Sequence, residues 1–318
     1  MPKRRDEMVP DAGFRSYYGQ PVIKAPVWHE PHMPVYLYLG GMSGAASMIA
    51  AMARVTGHDR LALAARMAAA AGAGVGSVFL ITELGRPERF LNMLRLFKPS
   101  SPMSVGSWTL AAHGGLTAIG AASAVTGVLP AIGDAATAAS AVTGPVMAAY
   151  TAVLLADTAV PAWHEAMREL PFLFTGSALA SAGAALMLTT PRTAAGPARA
   201  VAVAGAAAET AAGMLMARRL GLAGEPYRLG RAGRLMRASR MLTLGGGLLA
   251  TMAGRSRALT ALSGLAITAG ALCTRFGVLE AGRASAADPK YTVVPQRRRV
   301  AAGDLASVPG RCRPATKP

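Results

Sequence analysis

The sequence predicts an all-α, polytopic integral membrane protein of about eight transmembrane helices in two four-helix bundles. Three observations lead there. Of the 318 residues, 52% are hydrophobic and only 15% are charged, with a mean hydropathy of +0.34. The charges gather in short clusters between apolar runs of roughly 20 residues, the length that crosses a bilayer as a helix. Basic residues then favour alternate connections between those runs, as membrane topology requires.

Taken in order, residues 1–33 are polar and punctuated by proline, and are expected to form an extended arm on the membrane surface with Trp28 as an interfacial anchor. The membrane domain is assigned to 34–282. Its first span, 34–53, carries Tyr36, Tyr38 and a Gly40/Gly44 pair, a spacing that lets helix backbones approach closely. The second, 61–81, repeats the device with Gly72 and Gly76 and ends at Glu83. The third and fourth, 107–129 and 139–160, bracket Tyr150 and Asp157, and the chain leaves through Pro161, Trp163 and His164. Four more spans, 170–190, 198–217, 238–254 and 258–280, are rich in Ala, Leu and Gly, with Glu209 and Arg275 as polar exceptions. The tail, 283–318, is basic and proline-containing and is expected to be disordered.

An even number of spans puts both termini on one side. Of the 33 Lys and Arg residues, only Arg54, Arg60, Arg66, Arg192, Arg199, Arg255 and Arg257 fall on the other. The positive-inside rule therefore predicts a multi-pass protein of the cytoplasmic membrane with cytoplasmic termini. The formal charge of +17 follows from those loops. No basic stretch is interleaved with aromatics on a soluble domain, so nucleic acid is not an expected partner. Cys273 and Cys312 are too few for a disulfide framework or a cysteine-ligated metal site, and five scattered histidines do not suggest haem. An electron-transfer role would have to borrow its metals. The charged start, MPKRRDEMVPDAGF, lacks a following short apolar run, so no cleaved signal peptide is expected.

The stretch between spans two and three is polar between two apolar runs: Glu83, Arg86, Glu88, Arg89, Arg95 and Lys98 lie within ELGRPERFLNMLRLFKPSSPMSVGSW. A carboxyl group at the end of a membrane helix is costly there and marks a paired or functional residue. Glu83 with Arg86 fits either a helix-end ion pair or a proton-handling pair.

ELGRPERFLNML, FKPSSPMSVGSW, PVYLYLGGMSGAAS and YTAVLLADTAVPAWHEAMRELPFLF together resemble the NrfD/PsrC-like family, the membrane subunits of polysulfide reductase. The resemblance covers most of residues 20–282 and is most specific from Glu83 to Trp108. It implies a subunit without haem or iron–sulfur cluster of its own. Such a subunit would anchor a ferredoxin-like iron–sulfur subunit and a molybdopterin catalytic subunit, and bind a quinone, menaquinone being expected, near the face those partners occupy. The IKAPVWHEPHMP arm is most similar to versions that accompany formate-dehydrogenase-type catalytic subunits. The family often has Asp where this chain has Glu83, so the acid is kept with a longer reach. Several relatives present their partners outside the cytoplasm, whereas the charge count here argues for the opposite face.

Quinone reduction needs two electrons, two protons and a hydrogen bond to each carbonyl oxygen, which a histidine, a tyrosine or a protonated carboxyl can supply. His32 and Tyr36 are four residues apart and share a helix face. By resemblance the quinone-site histidine corresponds to His32 or His29, and the tyrosine from span four to Tyr150. Interfacial anchoring accounts for the same aromatic residues. Tyr150 and Asp157 share a face two turns apart, although Asp157 is close enough to the span end for simple solvation. Glu209, near the middle of span six, is either a neutral carboxyl bonded to another helix or part of a proton path. Arg89, Arg95 and Lys98, with Arg86, can form a docking surface for an acidic partner face. Two other functions compete: a secondary transporter, which would show repeats and helices broken at mid-membrane, and a purely structural anchor.

Overall fold

The computed structural model describes residues 22–84 and 87–301. From the arm, α1 (His32–Val55) crosses to the far end, α2 (Asp59–Glu83) returns, and a short 3-10 segment (Pro87–Leu94) lies in the connection to α3 (Pro102–Thr126). Then follow α4 (Pro130–Ala156), a one-turn helix α5 (Pro161–Glu165), α6 (Leu170–Thr189), α7 (Gly196–Arg219), α8 (Gly230–Met252), α9 (Arg257–Ala287) and α10 (Lys290–Ala301). Described residues include no strand.

Local chemistry sets the boundaries. Pro102, Pro130, Pro161, Pro171 and Pro197 stand in the first turn of their helices, where a missing N–H costs nothing. Ser101 caps α3 by accepting from Ser104 N–H, and Ser256 caps α9 by accepting from Leu259 N–H at 3.1 Å. Gly127 ends α3 at φ +71°, the left-handed conformation that glycine adopts without steric penalty.

Six helices, α1, α2, α4, α6, α7 and α9, are long and apolar enough to cross a membrane. The other two long ones, α3 and α8, fall short in apolarity. Ser, Thr, His and Gly dilute α3, and Arg231, Arg234, Arg237 and Arg240 occupy the first half of α8. The eight long helices form two four-membered rings, α1–α4 and α6–α9, in each of which neighbours in sequence pack side by side and the last closes on the first. The rings meet where α1 and α4 pack on α6. The central element is α1: its apolar window is 72% buried within the chain against 28% for α2. Val142, Phe172 and Leu248 project outward, as side chains facing lipid do.

Lipid is as apolar as leucine, so close backbone approach and buried polar bonds must hold such helices together. At the α1–α4 crossing, a Cβ on Gly44 or on Gly144 would collide with the other residue's carbonyl oxygen. Beside it, Ser47 Oγ donates to the Gly44 carbonyl at 2.8 Å or the Ser140 carbonyl at 3.1 Å. His113 of α3 is fully buried and joins three helices. Its Nε2 lies 3.1 Å from Ser43 Oγ on α1, and its Nδ1 lies 2.9 Å from Thr143 Oγ1 on α4. At the far end, Asp134 of α4 accepts from Arg54 of α1 at 3.1 Å and from Arg66 of α2 at 2.5 Å.

The tail departs from expectation. Helix α9 runs on to Ala287, and residues 290–301 form α10. Two of its basic side chains find partners: Arg283 meets Glu30 at 3.3 Å and Glu280 at 3.9 Å, and Lys290 Nζ donates to Glu225 at 3.2 Å. Glu225 raises the Lys290 pKa above its ordinary value. Tyr291 is buried. Residues 302–318, like 1–21, lie outside the described residues.

Replacing Gly144 with Leu should overpack the α1–α4 crossing by about 1–3 kcal/mol and lower the unfolding midpoint in detergent by several degrees. Val142→Leu, on the lipid face two residues away, should leave it nearly unchanged. Equal midpoints for the two variants would show that this crossing does not hold the bundle.

Candidate functional site

Glu83 is the last residue of α2, and its carboxylate turns toward the start of α1 with 9% of its side chain exposed. Oε1 accepts from the His29 backbone N–H at 2.6 Å and lies 3.2 Å from His29 Nδ1, and Oε2 is 3.9 Å from His32 Nδ1. The structure thus brings together three of the residues singled out in the sequence. Phe79, one helical turn before Glu83, lies against the His32 ring with centroids 6.0 Å apart.

One turn into α1 from His32, Tyr36 is fully buried and its hydroxyl is hydrogen-bonded to that of Tyr150 on α4. Gly106 of α3 lets the Tyr150 ring lie directly against the backbone, where any Cβ would collide with it. Both hydroxyls can donate or accept, so a hydroxyl pair sits on the same side of α1 as the His32–Glu83 group.

The arm positions His29 by binding the second ring on both sides of it. Trp28 stacks on Trp163 with centroids 5.4 Å apart and 25° between planes, and Trp163 Nε1 donates to the Val278 carbonyl at 2.7 Å. Glu30 accepts from Arg231 at 2.7 Å and from Arg283 at 3.3 Å, and Arg283 also donates to the Trp28 carbonyl. Residues 28–30 therefore reach the second ring through Trp28 and Glu30, and the first ring through His29. Glu30, Arg231, Glu280 and Arg283 were not singled out in the sequence. Their partners are up to 253 residues apart, and no local pattern announces such pairing.

The remaining candidates lie elsewhere. Asp157 is exposed just past the end of α4. Arg95 and Lys98 are exposed in the α2–α3 connection. Arg86 and the side chain of Arg89 lie outside the described residues. Glu209 is in the second ring, buried on α7, with Oε1 accepting from Thr274 Oγ1 at 2.5 Å and Thr274 bonded to Ser239 at 2.5 Å. Among the described residues Glu209 Oε2 has no hydrogen-bond partner. The adjacent Arg275 lies over the Phe174 ring at 3.7 Å and donates to the Phe174 carbonyl at 3.1 Å. Described residues include no cluster of three or more His, Cys, Asp or Glu that could hold a metal.

The chemistry available at the α1–α2 end is therefore hydrogen bonding and proton exchange: two phenol hydroxyls, two imidazoles and one carboxylate, from an accessible rim at His29 to a buried pair at Tyr36 and Tyr150. No curated protein matches the chain. A family model described as polysulfide reductase, of the NrfD type, matches residues 14–288, a stretch that includes all eight long helices and the arm residues that contact Glu83. The chain therefore belongs to the NrfD-type polysulfide reductase family, as a multi-pass membrane subunit of a polysulfide reductase-type oxidoreductase complex.

Proposed function

We propose that this chain is the quinone-reactive subunit of its complex. It exchanges electrons between a ferredoxin-like iron–sulfur subunit and membrane quinone, menaquinone by expectation, while a molybdopterin subunit acts on formate or a sulfur compound. The observation that carries this reading is the convergence of His29, His32 and Glu83 at one end of α1, with the Tyr36–Tyr150 hydroxyl pair one turn deeper. Those are the donor types that a two-electron, two-proton quinone couple requires.

In this reading the partner subunits supply the electron chemistry, and the residues here do the rest. The tyrosine hydroxyls hold a quinone carbonyl oxygen in a site walled by helices. His32 presents a ring nitrogen toward the same end, 3.9 Å from the Glu83 carboxylate. Glu83 exchanges the proton with water through His29, whose ring is the most open of the group, with 74% of its side chain exposed. Exposed Arg95 and Lys98 border this end and suit an acidic face on the iron–sulfur partner. We assign the arm, both termini and that partner to the cytoplasmic side of the membrane from the distribution of Lys and Arg. Glu209, buried with one oxygen unpartnered, is proposed as a separate proton-handling group of the second ring.

Mild-detergent purification of the tagged chain is expected to bring down molybdenum or tungsten, iron–sulfur clusters and quinone. A preparation free of all three would reject the assignment. In the assembled complex, Glu83→Gln and His32→Ala should each lower quinone-linked turnover by about a hundredfold, while activity with an artificial dye remains. Tyr36→Phe and Tyr150→Phe remove one hydroxyl each without changing ring packing. Both should weaken quinone-linked turnover and leave assembly intact, as gel filtration would show. Full quinone activity in all four variants would exclude this end of α1 as the site.

A further inference from the structure

The two neighbours α7 and α8 do not close against each other at the arm end. There α7 packs mainly on α6, α8 mainly on α9, and a cleft of about 370 Å³ opens between them. Its walls are apolar, with Met216 of α7 facing Met236 of α8, and its floor reaches Glu209. Its mouth is cationic: Arg228, Arg237 and Arg240 all line it. Arg228 donates to the Ala217 carbonyl, and Arg237 to the Arg228 carbonyl at 3.3 Å. Among the described residues, Arg240 has no hydrogen bond or ion pair, and no carboxylate pairs with any of the three.

Three exposed guanidinium groups without counter-charges among the described residues, one of them on the fourth turn of α8, suit an anion at that depth. Arg240 lies ten residues into α8, about 15 Å along its axis, near the level where a long basic side chain reaches for the headgroup layer. A water-soluble partner would satisfy the charges and leave the apolar walls unfilled. A neutral lipid or quinone would fill the walls and leave the charges. We propose that the α7–α8 cleft binds an anionic phospholipid, its phosphate held by Arg237 and Arg240 and an acyl chain lying between Met216 and Met236. Basic pockets between membrane helices recognise such headgroups. The three arginines at the mouth set the polarity of binding, because they draw the phosphate there and leave the apolar walls to the acyl chain. The inference is independent of the quinone assignment.

The test uses the full chain in its purified complex, delipidated in neutral detergent and then offered phosphatidylglycerol, cardiolipin, phosphatidylcholine or inorganic phosphate. Bound lipid is counted by native mass spectrometry, and thermal unfolding is followed in parallel. Phosphatidylglycerol and cardiolipin should bind and raise the midpoint, and phosphatidylcholine should not. Arg237→Ala with Arg240→Ala should weaken that binding about thirtyfold, from the loss of two cations near a headgroup, and the paired Lys substitutions should restore most of it. Gly213→Leu blocks the acyl path while keeping every charge. A Cβ there meets only Leu173, at ordinary contact distance, and the rest of the side chain enters the cleft, so the variant should fold and lose the lipid. The proposal is overturned by equal binding of phosphatidylcholine, by equal stabilisation from inorganic phosphate alone, by displacement of the lipid with a short-chain quinone, or by unchanged binding in the alanine pair and in Gly213→Leu.

Discussion

Within a bilayer an apolar side chain gains nothing by leaving lipid for protein, and the structure depends on what replaces that driving force. Backbone contact at small residues and fully bonded polar groups take its place. The Gly44–Gly144 crossing is the clearest case, since α1 could not sit at the centre of the molecule if either residue carried a side chain. That position lets α1 touch α2, α4, α6 and α9 at once and puts one end of it beside both rings. His113, bonded through both ring nitrogens to α1 and α4, uses the same principle with a polar group. A buried imidazole left half-satisfied would cost more than it contributes.

The candidate site is a consequence of that arrangement. With α1 in the middle, its first turns present His32 toward Glu83 at the end of α2, and Tyr36 toward Tyr150 on α4. The arm closes the group from outside by a different physics, with an aromatic stack and a carboxylate shared by two arginines at the membrane surface. Such surface ion pairs contribute little individually to stability. Here their role is positional: Glu30 and Trp28 fix the backbone on either side of His29, so its N–H and ring both meet Glu83.

The two rings differ in how they handle charge. In the first, Asp134 at the far end gathers Arg54 and Arg66, and Glu83 at the arm end lies against two histidines, while Arg66 Nε and Thr151 Oγ1 have no hydrogen-bond partner among the described residues. The second keeps Arg275 on a phenyl ring and a carbonyl, leaves one oxygen of Glu209 without a partner among the described residues, and exposes a row of arginines on α8. A membrane protein tolerates such groups where something outside the chain completes them.

Much of this architecture was legible in the chain itself. Apolar runs near 20 residues located all eight long helices, because bilayer thickness fixes that length, but α4 and α8 begin nine and eight residues before the apolar run and α9 ends seven after it. The family was legible from Glu83–Trp108 and the first and fourth spans, which the matched region of residues 14–288 contains. The pairing of His32 with Tyr36 on one face followed from helical periodicity alone. Tertiary structure decided what local rules cannot reach. Glu83 meets His29 and His32, 54 and 51 residues away, which no local pattern announces, whereas Arg86, weighed beside it in sequence, lies outside the described residues. Glu30 meets Arg231 and Arg283 across most of the chain. The basic tail forms helix through residue 301, and carboxylates on other elements meet its Arg283 and Lys290. Apolar periodicity records which face of a helix is buried, whereas charge pairing depends on which helix ends meet, and only the packing of the two rings sets that.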